Sequence, residues 1–392
     1  MKHILKIIWN QKRNYYWIFM EQVLVTIILM LSAVSVLESY KKYKTPGMLN
    51  VENTFVVGYL SGNSATQEEM GNSLKSMNIL LENMKKLPYV KTITRGFNLA
   101  PYQRDNELYA SQVPSDSIRI DDKRFMAIYK FSDEFGASVL NVEMEEGTWF
   151  ENRALPDGSL PVVITRQFAS KAGWTTSVGK KIPFGSRFFT VTGVAAGLKQ
   201  VPFEPSPIAI VIPSFAMGGM PFENMVKIET GMEREFIEAF SKEFQRLIPY
   251  ESMEPFLNYM PSLKSMWTSQ SVLSVILQGI PTLFLFIFAF IGTFGLYWMM
   301  SQKRMKEYAL RIALGSTKSK LIGIVIGESL LITCMAILPA LALSLFIYEY
   351  NAVHVIAVSI TIFVMLLFAI VSAWYPAWKV SRVNPAEALQ YE

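Results

Sequence analysis

Covalent or metal chemistry in this 392-residue chain would have to come from two histidines, one cysteine and 32 carboxylates. His3 and His354 lie far apart, and on the topology derived below they fall in different compartments, so they form no histidine-based metal site. The acidic pairs Asp121-Asp122 and Glu145-Glu146 read as solvated turns, and no nucleophile–base constellation stands out. Gly315-Ser316-Thr317-Lys318 comes nearest to a phosphate cradle. It lacks the first glycine of G-x-x-x-x-G-K-[ST] at the needed spacing, so no Walker A loop is present. The chain is therefore expected to be no enzyme and to hold no cofactor, with any ATP hydrolysis supplied by another subunit. What remains is charge in unusual places: Glu21 and Glu328 inside apolar runs, and the pair Glu307 and Arg311 in a basic loop.

Those positions acquire meaning from the hydropathy. A bilayer core about 30 Å thick needs roughly 20 consecutive apolar residues as helix. Four runs qualify, at 17–37, 279–300, 321–348 and 352–375, within a chain that is 51% hydrophobic. The first is 21 residues long with 16 before it, longer than a signal-peptide core, so it reads as an uncleaved anchor even though Ala33-Val34-Ser35 resembles a cleavage site. A carboxylate at the centre of a span costs about 2.5–3.5 kcal/mol, which some 20 apolar neighbours offset. For Glu328, about two turns from one edge, a structural contact is expected ahead of a switch; for Glu21 the expectation is a side chain reaching the interface.

Orientation follows from Lys and Arg near the span ends. Lys2, Lys6, Lys12 and Arg13 precede the first run. Lys303, Arg304, Lys306, Arg311, Lys318 and Lys320 lie between the second and third, and Lys379 and Arg382 follow the fourth. The turn at 349–351 has none. Both termini are thus expected in the cytoplasm, as segments 1–16 and 376–392, in a bacterial inner membrane. Segment 38–270 holds 25 basic against 26 acidic residues, so the net charge of +5 belongs to the cytoplasmic rim and argues for lipid headgroups, not nucleic acid, as its partner.

The polar stretch 38–261 reads as a large α/β extracytoplasmic domain. Cys334 lies in the third run, so that domain has no disulfide and must hold itself by its own core. Strand patterns at 54–60 and 89–94 flank a helical pattern at 67–86. A second set, 224–229 and a helix at 233–247, is followed by a short strand toward Phe256. Two β-α-β halves give one subdomain, 50–125 plus 205–258, around a β-rich insertion at 126–204. Residues 262–278 read as a stalk running into the second span, with Gly279 and Pro281 marking a kink. The apolar loop Met217–Met220 with Pro221-Phe222 reads equally as a partner contact or a buried loop.

In the cytoplasmic loop 301–320, Met305, Tyr308, Ala309, Ile312 and Ala313 fall on one helical stripe. Glu307 and Arg311 stand four apart, acid first, which supports a short helix by a few tenths of a kcal/mol, roughly. Gly315 suits the position after its end, and Ser316 or Thr317 the cap of the next helix. Pattern alone leaves two readings open, an interfacial helix resting on headgroups and a helix that docks into a partner.

Residues 303–317 resemble the R-x-x-E-I/Y-x-x-R-x-A-L-G-[AS] loop of MacB/FtsX-type ABC permeases through Glu307, Arg311, Ala313, Leu314, Gly315 and Ser316. The end of the chain is similar to the family's closing motif through Pro385, Glu387, Ala388 and Leu389, and Glu328 matches an acidic position early in the third helix. In the polar domain, 147–150, 161–165, 178–180 and 189–194 resemble the G-x-x-F, P-V-V-[IL]-[ST], x-G-K and F-x-V-x-G-V signatures. Residues 173–180 depart from the usual approach to that x-G-K glycine, and Glu21 is unlike common members.

The resemblance implies a permease subunit of an export complex, two protomers (identical, or one paired with a homologue) on a dimer of separate ATPase subunits. Motion would pass through Met305, Glu307, Tyr308, Arg311, Ile312 and Gly315 to the external domain. A periplasmic adaptor and an outer-membrane channel are candidate further partners. Two alternatives share this topology: an activator of a cell-wall hydrolase or sensor, and a lipoprotein-release subunit.

Overall fold

The computed structural model describes residues 12–62, 64–102, 115–184, 187–217 and 223–382. The basic residues expected at positions 2 and 6, His3, the closing motif at 385–389 and most of the 217–222 loop lie outside them. The chain divides into a helical unit, bounded by Lys41 and Val272, and an α/β unit, Lys42–Ser271.

In chain order the elements are α1 (Lys12–Lys44), β1 (Thr54–Ser61), α2 (Gln67–Lys85), β2 (Val90–Phe97), β3 (Ser115–Ile120), β4 (Lys123–Ser132), α3 (Gly136–Leu140) and β5 (Met144–Gly147). Then come β6 (Leu160–Thr165), α4 (Arg166–Ala172), β7 (Lys181–Phe184), β8 (Arg187–Ala195), β9 (Ala209–Pro213), β10 (Glu223–Ile228), α5 (Glu233–Leu247) and β11 (Met253–Tyr259). Four helices follow: α6 (Met260–Lys303), α7 (Met305–Ala313), α8 (Lys318–Ile347) and α9 (Ala352–Val380).

The strands of the α/β unit join in one sheet with the path β11-β1-β10-β2-β4-β9-β6-β8-β5. Its first four strands are all antiparallel, with β10 between β1 and β2, and β1 between β10 and β11. The β1-α2-β2 and β10-α5-β11 segments therefore interleave, each lending a strand to the gap in the other. Their helices cover a shared core. Phe236, Phe240 and Phe244, four residues apart on α5, are buried with Met77, Leu80, Leu81 and Met84 of α2 against Phe55, Ile93 and Val226. Burying each phenyl ring contributes about 1.5–3 kcal/mol. Helix α2 starts at Thr66, whose N–H donates to Glu69 Oε2 (2.8 Å) while the Glu69 N–H donates to Thr66 Oγ1 (3.2 Å), a reciprocal cap.

Every residue of β6 and β9 is buried, as central strands covered on both faces require. Gly147 ends β5 with φ +64°, and a Cβ there would stand 2.1 Å from the Thr192 carbonyl oxygen, so this turn admits only glycine. Strand β3 pairs with β4, and β9 with β4 and β6, so both belong to the middle segment. Their partners are set by tertiary contact, which the local patterns at 115–120 and 209–213 do not encode.

A buried charge cluster ties the two parts of the sheet together. Glu223, at the start of β10, accepts the backbone N–H groups of Asn98 (3.0 Å), Leu99 (3.0 Å) and Ala100 (2.7 Å). Lys130 of β4 donates to the Asn98 carbonyl at 2.8 Å. Both side chains are buried, at 2% and 1% exposure. Burial pushes Lys130 down to about 7 against the pull of Glu223, and pushes Glu223 up.

In the helical unit, α1, α6, α8 and α9 are long and apolar enough to cross a membrane. Helix α6 spans both the expected stalk and the second run as one helix, with Pro281 inside it. Helix α9 likewise runs past the expected end at 375, through Pro376, to Val380. Helices α8 and α9 bury alanines against each other and their neighbours (Ala336, Ala340, Ala357, Ala369 and Ala373), the small residues that let apolar helices approach closely.

Two outcomes follow for the α/β unit. Glu223→Ala strands the two buried N–H groups of Leu99 and Ala100, each costing about 1–3 kcal/mol, and the part-buried one of Asn98. Hydrogen exchange read by mass spectrometry over 96–102 is expected to accelerate by about two orders of magnitude, and unchanged protection would contradict the cluster's role. Lys130 sits below the ordinary lysine value, so the unfolded chain binds more protons between about pH 7 and 10, and stability rises with pH in that window. Lys130→Met is expected to flatten that rise in thermal melts followed by tryptophan fluorescence.

Candidate coupling loop

Helix α7 is short and would be marginal alone. Its last turn closes as a Schellman motif, with the Ser316 N–H donating to the Arg311 carbonyl (2.9 Å) and the Gly315 N–H to that of Ile312 (2.9 Å). Gly315 takes φ +91°, which the motif needs and a side chain disfavours. Thr317 then caps α8, its Oγ1 accepting the Lys320 N–H at 3.3 Å.

The chemistry of the loop centres on Arg304, which had been counted only among the rim charges. Arg304 is 7% exposed. Its Nη1 donates to both oxygens of Glu328 (2.9 and 3.1 Å), and its Nε donates to Glu307 Oε2 at 3.2 Å. Tyr15 of α1 donates its hydroxyl to Glu328 Oε2 at 2.6 Å. Arg311 Nη2 donates to Glu307 Oε1 at 2.6 Å, and the Arg304 guanidinium stands 5.0 Å from the centre of the Tyr308 ring. One continuous chain of charge-assisted bonds thus joins α1, α7 and α8. Burial opposes ionisation of Glu307, yet Arg304 and Arg311 win and hold it below the usual carboxylate range.

The expected residues separate into two sets. Tyr308, Ala309 and Glu328 are buried, and Met305, Glu307, Arg311 and Ile312 are half-buried. Ile312 and Tyr308 pack with Tyr15, Ile18, Tyr297 and Leu321. The stripe from Tyr308 to Ile312 therefore faces the protein's own bundle. Leu310 and Leu314 instead are 51% and 79% exposed, beside the exposed Lys306, Ala313 and Gly315. Glu21 stands apart from this network. It accepts a hydrogen bond from Thr293 of α6 (3.2 Å) and lies so close to Gly292 that a Cβ there would meet its oxygen at 2.6 Å.

At the same end of the bundle, Trp298, Tyr375 and Trp378 stack at 5.9 Å intervals. Lys379 lies 4.6 Å from the Trp298 ring and Arg382 4.2 Å from that of Trp378. Aromatic rings capped by cations mark a membrane–water boundary.

Two family descriptions match the chain: the MacB-like periplasmic core domain over residues 24–240 and the FtsX-like permease C-terminal domain over 279–385. The chain belongs to the MacB/FtsX-type permease family. It is thus a membrane-embedded ABC permease with a large periplasmic α/β domain. Among solved structures it is similar to the periplasmic region of MacB from Actinobacillus actinomycetemcomitans, at 16% identity and TM-score 0.37, covering 55% of this chain and 92% of that one. The extracellular domain of the noncanonic ABC-type transporter YknZ from Gram-positive bacteria gives 16%, 0.35, 52% and 100%. A domain of a putative permease protein from Porphyromonas gingivalis gives 16%, 0.36, 55% and 93%. No curated protein matches.

For this permease the Arg304–Glu328 pair sets a measurable outcome. Arg304→Ala leaves a buried carboxylate unpaired and is expected to cost about 3–5 kcal/mol, seen as a lowered thermal midpoint in detergent. The Arg304→Ala/Glu328→Ala double variant is expected to recover much of that loss, and strict additivity would show that the pair is not coupled.

Proposed function

We propose that this permease passes motion from a separate ABC ATPase, docked at the cytoplasmic loop, to its periplasmic domain, and serves an export complex as one of two protomers, identical or homologous. The observation that carries the reading is the bonded chain Arg311–Glu307–Arg304–Glu328–Tyr15. A loop helix that merely rested on lipid would need no such bracing. Here a push on α7 bears on α1 and α8 through charge-assisted bonds, while Leu310 and Leu314 stay exposed for a partner to bury.

Orientation with α7 and both termini in the cytoplasm is supported by the basic residues at this end and by the ring-and-cation layer of Trp298, Trp378, Lys379 and Arg382. Placement in a bacterial inner membrane accords with the periplasmic domain of the family. ATP hydrolysis falls to the partner subunit, since the sequence carries no Walker A loop.

The test is co-purification of the tagged permease in mild detergent, read by mass spectrometry and ATPase assay. Glu307→Ala/Arg311→Ala is expected to insert normally and to lose ATPase association at least tenfold. Leu310→Asp/Leu314→Asp is expected to do the same without lowering the thermal midpoint. Retained coupling in both variants would rule out docking at α7. Capture of a wall hydrolase in place of an adaptor or channel would shift the reading from extrusion to activation.

A further inference from the structure

In the helical unit, a ladder of aromatic rings joins α6 to α9. Phe286, Phe290, Phe294 and Trp298 follow one row along α6, each four positions after the last. The first two meet Phe368 of α9 and the last two meet Tyr375, with ring centres 5.3 to 6.0 Å apart. The ladder ends with Trp298, Tyr375 and Trp378, stacked at interplanar angles of 11° and 27°. Two cations close it, Lys379 against Trp298 on the other helix and Arg382 against Trp378 on its own. Held against rings on a packed helix pair, they lose much of the freedom that an exposed side chain keeps.

The charge here is of one sign. Neither α6 nor α9 contains an aspartate or a glutamate. Among the described residues, neither Lys379 nor Arg382 has a carboxylate partner. The carboxylate that does approach α6, Glu21, meets it at Gly292 and Thr293, more than a turn before Trp298. Glu307 and Glu328 are taken up by Arg304, Arg311 and Tyr15. The two cations thus stand without an anion at the level where rings and basic groups meet the membrane–water boundary. From Trp378 a row of exposed apolar side chains, Trp374, Val371 and Leu367, runs back along α9 toward the middle of the span. A spanning helix presents such a row to acyl chains.

A ligand that suits this corner carries an anionic phosphate for the cations and hydrocarbon for the row beside them. A soluble anion would satisfy only the first. Basic clusters between spans are sites of this type for anionic headgroups. We propose that the corner formed by the ends of α6 and α9 binds one anionic phospholipid, its phosphate held by Lys379 and Arg382 and an acyl chain lying along Trp374, Val371 and Leu367. The site is independent of the coupling reading above.

The probes are dioleoyl phosphatidylglycerol and dioleoyl phosphatidylethanolamine, titrated onto the full chain in mild non-ionic detergent and resolved by native mass spectrometry. The first phosphatidylglycerol is expected to bind roughly tenfold tighter than the first phosphatidylethanolamine, a ratio within reach of two cations at headgroup level. Lys379→Ala/Arg382→Ala is expected to bring the two lipids within about twofold of each other. Lys318→Ala/Lys320→Ala, which removes two exposed cations at the start of α8, is expected to keep the full preference. Arg382→Ala, whose ring partner lies on its own helix, is expected to lose about threefold. That single variant decides the matter if the double one lowers the thermal midpoint. Equal affinity for the two lipids, or a preference that survives loss of the corner cations, overturns the site. A preference lost equally in Lys318→Ala/Lys320→Ala overturns it too, by reducing it to general rim charge. Excess glycerol 3-phosphate is expected to leave the lipid bound, and full displacement would make the corner a site for soluble phosphate instead.

Discussion

The buried ion pair between Arg304 and Glu328 is the constraint on which the helical unit turns. Taking either group out of water costs several kcal/mol, and their attraction offsets this only when geometry is good and the remaining lone pairs are used. The guanidinium reaches both carboxylate oxygens and Tyr15 donates to one of them, while Arg304 Nη2 stays buried without a hydrogen-bond partner among the described residues. The consequence is positional more than energetic. Arg304 sits between α6, which ends at Lys303, and α7, which starts at Met305, and Glu328 on α8 meets both it and Tyr15 of α1. A short helix that would melt alone is thereby held in one place.

The α/β unit solves a related problem by different means. Without disulfides, it relies on a sheet whose first part is interlocked, since neither β-α-β segment can close its own sheet without a strand of the other. The weak point is the two-residue pairing of β2 with β4. Glu223 and Lys130 are gathered there, one collecting the N–H groups of 98–100 and the other a carbonyl of the same turn. Hydrogen bonds to charged groups in a dry environment are stronger than neutral ones, so a few of them compensate for a ladder that barely forms.

Much of this was legible from local pattern, and what was missed lies in the contacts of single residues. The phenylalanine spacing of α5, the apolar run at 161–164 and the four long hydrophobic stretches are signals that declare themselves within a few residues. Glu223 gave no such signal, because the N–H groups it collects lie 123–125 positions earlier in the chain. Arg304 was hidden for the opposite reason, standing among Lys303, Lys306 and Arg311, where one more cation reads as solvated rim. The stripe of Met305, Tyr308 and Ile312 was visible, but periodicity says only that a face will be buried. It does not say against what, and here the answer is the protein's own bundle.

That last point bears on what the loop motif means. Glu307 pairs with both Arg304 and Arg311, Tyr308 packs into the bundle, and Gly315 closes the Schellman turn. These positions are accounted for by building and bracing the loop, with no need of a partner. On the proposed reading the surface that meets the ATPase is instead made by Lys306, Leu310 and Leu314, of which only Leu314 belongs to the motif. A motif of this kind then guarantees a rigid platform, while most of the choice of partner is left to exposed side chains whose identity the platform does not constrain.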